Sequence, residues 1–131
     1  MPSVFTRIIN GELPGRFVYQ DDAVVAFLTI APVQPGHTLV VPRQEIDDWL
    51  DLPAALRDQV FAVSQKVGAA IDRAFSPTRV AVLLLGLEVP HVHVHLLPIN
   101  SEAEIDFGRA DAHPDPAALD EVAERIRAEL A

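Results

Sequence analysis

The chain has 131 residues, half of them hydrophobic, no cysteine and a formal net charge of −9. That length fits one domain with one real core, and the lack of cysteine excludes disulfides, thiolate metal ligands and thiol catalysis. The acidic balance speaks against a nucleic-acid partner, which asks for a basic footprint, and no apolar stretch is long enough to span a membrane. The opening Met1–Arg7 lacks the apolar core of a secretory signal, so the expected location is cytoplasmic.

In chain order, Val4 to Asn10 reads as a short helix carrying Phe5, Ile8 and Ile9, closed by Asn10-Gly11. Arg16 to Gln20 and Ala23 to Thr29 read as two strands joined by a tight turn at Asp21-Asp22. A loop of turn formers, Ala31 to Gly36, leads into a third strand, His37 to Pro42. From Pro53 to Phe75, Leu56, Val60, Val63, Val67, Ala70 and Ile71 recur at helical spacing, which marks a long amphipathic helix whose stripe is core. Trp49, among Asp47, Asp48 and Asp51, reads as a packing residue beside a solvated acidic surface. Arg79 to Leu85 reads as a continuous apolar strand and His91 to Ile99 as another. A polar loop from Asn100 to Asp115, which includes His113, precedes a helix opened by Pro116, capped by Asp115 and carrying Leu119, Val122, Ile126 and Leu130 on one face. The whole chain, residues 1–131, therefore reads as a single α+β domain with a mainly antiparallel sheet, one long central helix and a C-terminal helix.

The chemistry concentrates in Pro90-His91-Val92-His93-Val94-His95-Leu96-Leu97-Pro98. Histidine alternates with apolar residues at the period of a strand, which puts the three rings on one face. At a rise of about 3.3 Å per residue, neighbouring rings stand about 6.6 Å apart and the outer two about 13 Å. One metal ion needs its histidine nitrogens at about 2.0–2.1 Å, which three rings on one unbent strand do not provide. A metal site on His91 and His93 would need a histidine from elsewhere, such as His37. The row fits better as a track on which one substrate is held, attacked and protonated. Carried back through Pro90, the same alternation turns Val89 toward the histidines and Glu88 away from them.

His91 to Leu97 resembles the histidine-triad (HIT) signature, in which histidine alternates with hydrophobic residues. Phe5 to Pro14 resembles the opening of that family, Val18 to Asp22 with Ala26-Phe27-Leu28 its first hairpin, and Pro35 to Pro42 its second block. The resemblance spans about Val4 to Pro98, with the loop and helix of residues 100–131 beyond it. It implies a HIT-like fold, usually a homodimer, and a nucleotide hydrolase or transferase acting at the α-phosphate of nucleoside phosphoramidates or nucleoside monophosphate conjugates. By residue-by-residue transfer, His93 is the nucleophile that forms a nucleotidyl-histidine. His95 bonds phosphate oxygens, His91 supports the nucleophile, and His37 completes the cluster. Phe5, Ile8, Phe27, Leu28, Ile30 and Leu39 match positions that line the base and ribose pocket. Thr29 stands where the family commonly carries an aspartate on the ribose hydroxyls. The loop Leu85 to Pro90 is shorter and more apolar than the family's Asn–Gly-rich one, and the cysteines that bind zinc in some branches are absent. The scheme uses no cofactor or metal, and its partner is a small nucleotide. The other reading is a weakly active nucleotide-binding or interaction protein that retains the triad, which Thr29 and the short loop favour.

Overall fold

Val24–Leu28 and Thr38–Pro42 are buried along their whole length, which is why their sequences run apolar without a polar alternate. The computed structural model describes residues 1–131. In order it contains α1 (Val4–Ile9), β1 (Phe17–Gln20), β2 (Val24–Leu28), β3 (Thr38–Pro42), α2 (Ala54–Phe75), β4 (Arg79–Leu83), β5 (Val94–Ile99) and α3 (Pro116–Leu130). The strands form one sheet in the order β1-β2-β3-β5-β4, every neighbouring pair antiparallel. The fold is α+β, with the long helix and the C-terminal helix as read from the sequence. No helix is long and apolar enough to cross a membrane.

Alternate residues of the central strands feed two clusters. Val24, Ala26, Leu28, Val40, Val94 and Leu96 meet Leu56, Val60, Val63, Val67, Ala70 and Ile71 of α2, and Ala123 and Ile126 of α3 close the same cluster. Val25, Phe27, Leu39 and Val41 point the other way and are covered by Phe5 and Ile8 of the short α1, with the partly buried Ile9, Leu13, Phe17 and Val89 packed at the margin. At about 1.5–3 kcal/mol for each fully buried large side chain, the first face supplies most of the cohesion. A six-residue helix cannot roof the second face, and the uncovered part becomes a cleft. The ends of the long helices follow their sequence signals. The Asp115 carboxylate accepts from the Ala117 N–H at 3.2 Å, with Pro116 in the first turn of α3. At the end of α2, Ser76 takes the left-handed conformation (φ 47°).

Three readings change. The histidine strand begins at Val94, not at His91. Before it, the His91 N–H turns back to the Val89 carbonyl at 2.8 Å and the Val92 N–H donates to Ile46 at 2.7 Å, so these residues leave the ladder. β4 ends at Leu83, not Leu85, and lies at the sheet edge, where Val82 is 55 % exposed in spite of its apolar sequence. Trp49 is 47 % exposed. It sits in a single 3-10 turn that the Asp48 carboxylate holds at the surface by accepting from the Leu50 N–H.

The turn into β3 fixes His37. Gly36 has φ +96°, and a Cβ there would lie 3.0 Å from Pro98 Cγ and 3.1 Å from Phe75 Cε2. Both the backbone and the space therefore call for glycine. Gly36→Ala is expected to lower stability by about 1–3 kcal/mol, read as a fall in the denaturant midpoint. A midpoint equal to the wild type would show that this turn relaxes freely.

Candidate active site

The cleft on the thinly covered face has a volume of about 450 Å³ and opens between α1, the end of β2, the loop before His91 and Phe107. Phe5, Ile8, Phe27, Leu28, Thr29, Ile30 and Leu39 all lie on its wall, together with His93 and His95. The sheet register explains part of this grouping, because Phe27 pairs with Leu39 and Leu39 with His95 in one cross-strand row. The Thr29 hydroxyl accepts from the Ala31 N–H at 3.2 Å, which tucks the strand end into the wall.

The other two histidines lie behind this surface. The His91 ring is fully buried and off the cleft wall, so the histidines do not form a track of three rings. The row breaks because only His95 belongs to the β5 ladder. His37 stands behind His95, its Nε2 2.9 Å from His95 Nδ1. The rings of His93 and His95 pack at 4.9 Å between centroids.

Burial sets the charge state of all four rings. Loss of solvent pulls each below the ordinary value of 6.5, His37 to about 3 and His95 to about 4, with neighbouring histidines adding to the effect on those two. For His91 and His93 burial is again the main cause, and the shift is again downward. Four neutral imidazoles near pH 7 each carry one ring proton, and their fixed partners assign it.

His93 Nδ1 lies 2.8 Å from the His91 carbonyl. A carbonyl only accepts, so Nδ1 holds the proton and Nε2 keeps a lone pair. Val33 N–H donates to His37 Nδ1 at 3.1 Å. His37 Nε2–H therefore donates to His95 Nδ1, and His95 carries its own proton on Nε2. The two cleft rings are complementary: one presents an electron pair, the other a donor. His91 Nε2–H donates to the Pro42 carbonyl at 2.7 Å, and its Nδ1 accepts from the Ser3 hydroxyl at 2.7 Å. Ser3 N–H and the Thr6 hydroxyl both donate to Glu45 Oε1 at 2.7 Å. This network pins α1, so Phe5 packs edge-on against His93 with centroids 4.8 Å apart.

With both nitrogens engaged, His91 has none free for a metal ion, and no three His, Cys, Asp or Glu side chains converge to hold one. The chain also has no cysteine, so these residues do not fit the zinc site of some histidine-triad branches.

Two parts of the wall had no signal in the sequence reading. Glu88 lies on it together with Val89, contrary to strand parity, because the turn at Val89–His91 ends the alternation. Phe107, in a 3-10 turn of the polar loop after β5, stands edge-on to His95 at 5.1 Å. His113 is exposed and off the cleft.

The profile described as HIT domain matches residues 10–102. The purine nucleoside phosphoramidase of Escherichia coli is 34 % identical over 102 residues, covering 72 % of this chain and 85 % of that protein. The asymmetrical bis(5'-nucleosyl)-tetraphosphatase of Schizosaccharomyces pombe is 31 % identical over 98 residues, covering 71 % of this chain and 52 % of that protein. Among solved structures, a Hit-like protein from Bartonella henselae, described as involved in cell-cycle regulation, superposes with a TM-score of 0.87 at 32 % identity, covering 98 % of this chain and 96 % of that one.

Burial of neutral histidines ties stability to pH. Their folded pKa values lie below the unfolded value of 6.5. Between the two values the unfolded chain binds more protons, and stability rises with pH. The contribution is complete above about 6.5 and is lost as pH falls through about 4 for His95 and about 3 for His37. Thermal melts should show the midpoint falling below pH 6.5, more steeply in the wild type than in His37→Asn. Equal slopes would mean that His37 stays protonated in the fold.

Proposed function

The chain belongs to the histidine-triad (HIT) family, and on that premise we propose that it is a nucleotide hydrolase or transferase of nucleoside phosphoramidates or nucleoside monophosphate conjugates. The reaction passes through a nucleotidyl-histidine on His93. The observation that carries this reading is the pair of fixed partners, the His91 carbonyl at His93 Nδ1 and His37 Nε2 at His95 Nδ1, from which the protons of the two cleft rings follow. The carbonyl of His91 holds the His93 proton on Nδ1, so Nε2 attacks the α-phosphorus without first losing a proton. The same carbonyl then faces the N–H of a ring that becomes positively charged as the P–N bond forms.

The bond from phosphorus to the leaving group breaks on the far side, and the leaving group takes the electron pair and a proton from solvent, which the attacking water of the second step gives back. Water then displaces His93 and releases the nucleoside monophosphate. His95 Nε2–H donates to a non-bridging phosphate oxygen where charge accumulates, and His37 keeps that donor aimed through its own bond to His95 Nδ1. Phe5, Ile8, Phe27 and Leu39 offer an apolar wall to the base, while Thr29 and Ile30 flank the ribose.

The weakly active binding reading draws on Thr29 and the short loop, and one experiment separates the two. Rapid quench with an adenosine phosphoramidate should capture one adenylyl group on His93. His93→Ala should lose both adduct and turnover, and His95→Ala should slow the reaction by about 10²–10³ through the lost donor. Nucleotide binding without an adduct would favour the binding reading, and an adduct on another residue would remove His93 from the role.

Thr29 carries a second test. A carboxylate accepts from both ribose hydroxyls, and bonds to charged groups are worth about 1.5–3 kcal/mol against about 1 for neutral ones. Thr29→Asp should raise the preference for ribose over 2′-deoxyribose about fivefold, read as a ratio of dissociation constants. An unchanged ratio would take the sugar away from Thr29.

A further inference from the structure

The loop between β4 and the triad forms the cleft wall through Leu85, Gly86, Leu87, Glu88 and Val89. It turns at Gly86 (φ +70°) and again where the His91 N–H meets the Val89 carbonyl. Within this apolar segment Glu88 is the one charged residue. It is exposed and takes part in no salt bridge. No lysine or arginine lines the cleft, and burial keeps His93 and His95 neutral. The only ionised side chain on the wall is therefore a carboxylate, in a chain whose net charge is already −9.

This charge pattern bears on the leaving group. The apolar residues of α1, β2 and β3 suit a base, which leaves the loop side for whatever is attached to the phosphorus. A polyphosphate there brings several negative charges, and catalysis of its departure ordinarily relies on arginine, lysine or a metal ion. The cleft offers none of these side chains and has a carboxylate on its loop wall.

We propose that Glu88 is a specificity-determining residue that selects nucleotide conjugates whose leaving group carries a positively charged amine, and disfavours polyphosphate leaving groups. The proposal rests on the nucleotide reading of the cleft. It assigns to this chain the amine side of a chemistry whose other branch is represented by the yeast tetraphosphatase relative. Because Glu88 is exposed, the effect is electrostatic selection of modest size that salt screens.

The test uses full-length His93→Ala, which blocks turnover, and three adenosine 5′-phosphoramidates with nitrogen substituents of equal length: aminoalkyl, alkyl and carboxyalkyl. Calorimetry at low salt should find the aminoalkyl ligand bound about fivefold more tightly than the carboxyalkyl one, a ratio that shrinks at high salt. Adding Glu88→Gln should bring the ratio close to one, and Glu88→Lys should invert it. A ratio near one with Glu88 present, or one that survives both substitutions, overturns the proposal. The parent reading is checked separately by wild-type hydrolysis of the uncharged alkyl ligand. Hydrolysis without charge discrimination defeats only the role of Glu88. Discrimination without hydrolysis defeats only the hydrolase reading, and failure of all three ligands to bind defeats both.

Discussion

The Nδ1–H of His93 donates to the backbone carbonyl of His91, and the remaining cleft geometry is organised to keep that bond in place. The carbonyl is available because residues 91–93 precede the β5 ladder instead of joining it. A residue inside an antiparallel ladder spends its carbonyl on a neighbouring strand. The early break in pairing thus frees an acceptor two residues before the ring that needs it. The buried His91 ring, held at both nitrogens by Pro42 and Ser3, stops the peptide from swinging away.

Burial gives these rings a second property. An exposed imidazole is a mixture of protonation states near neutral pH, and its proton moves between two nitrogens. Here desolvation removes the charged form, and partners that only accept or only donate choose the tautomer. The polarity runs from Val33 N–H through His37 to His95, and separately from His93 to a carbonyl. Two chemically identical side chains thereby reach the same cleft with opposite roles. The cost is acid sensitivity, because each ring gains a proton more readily once unfolded.

The cleft itself follows from unequal covering of the sheet. One face lies under a 22-residue helix and a 15-residue helix, while the other has only a six-residue one. Glu45 ties the start of that short helix to the strand side through Ser3 and Thr6. The helix that carries Phe5 to His93 is consequently fixed by polar contacts at the rim and apolar contacts beneath.

The sequence by itself determined the elements whose signals are local. The stripe from Leu56 to Ile71, the Asp115-Pro116 start of α3 and the hairpin at Asp21-Asp22 each depend on neighbours a few positions away, and each is present in the fold. Alternation of His93, Val94 and His95 also sufficed to put two histidines on the cleft face, and the family resemblance supplied the apolar residues beside them. Tertiary structure decided where the alternation stops. A period of two persists only while a strand stays paired, and the loss of pairing before Val94 buries the His91 ring and brings Glu88 onto the wall. It also delivered Phe107, whose contact with His95 spans a loop that has no periodicity to read. The same holds for the protons: residue order names the histidines, but which nitrogen holds the proton in each of the four clustered rings depends on partners such as Ser3 and Pro42, 88 and 49 residues from His91.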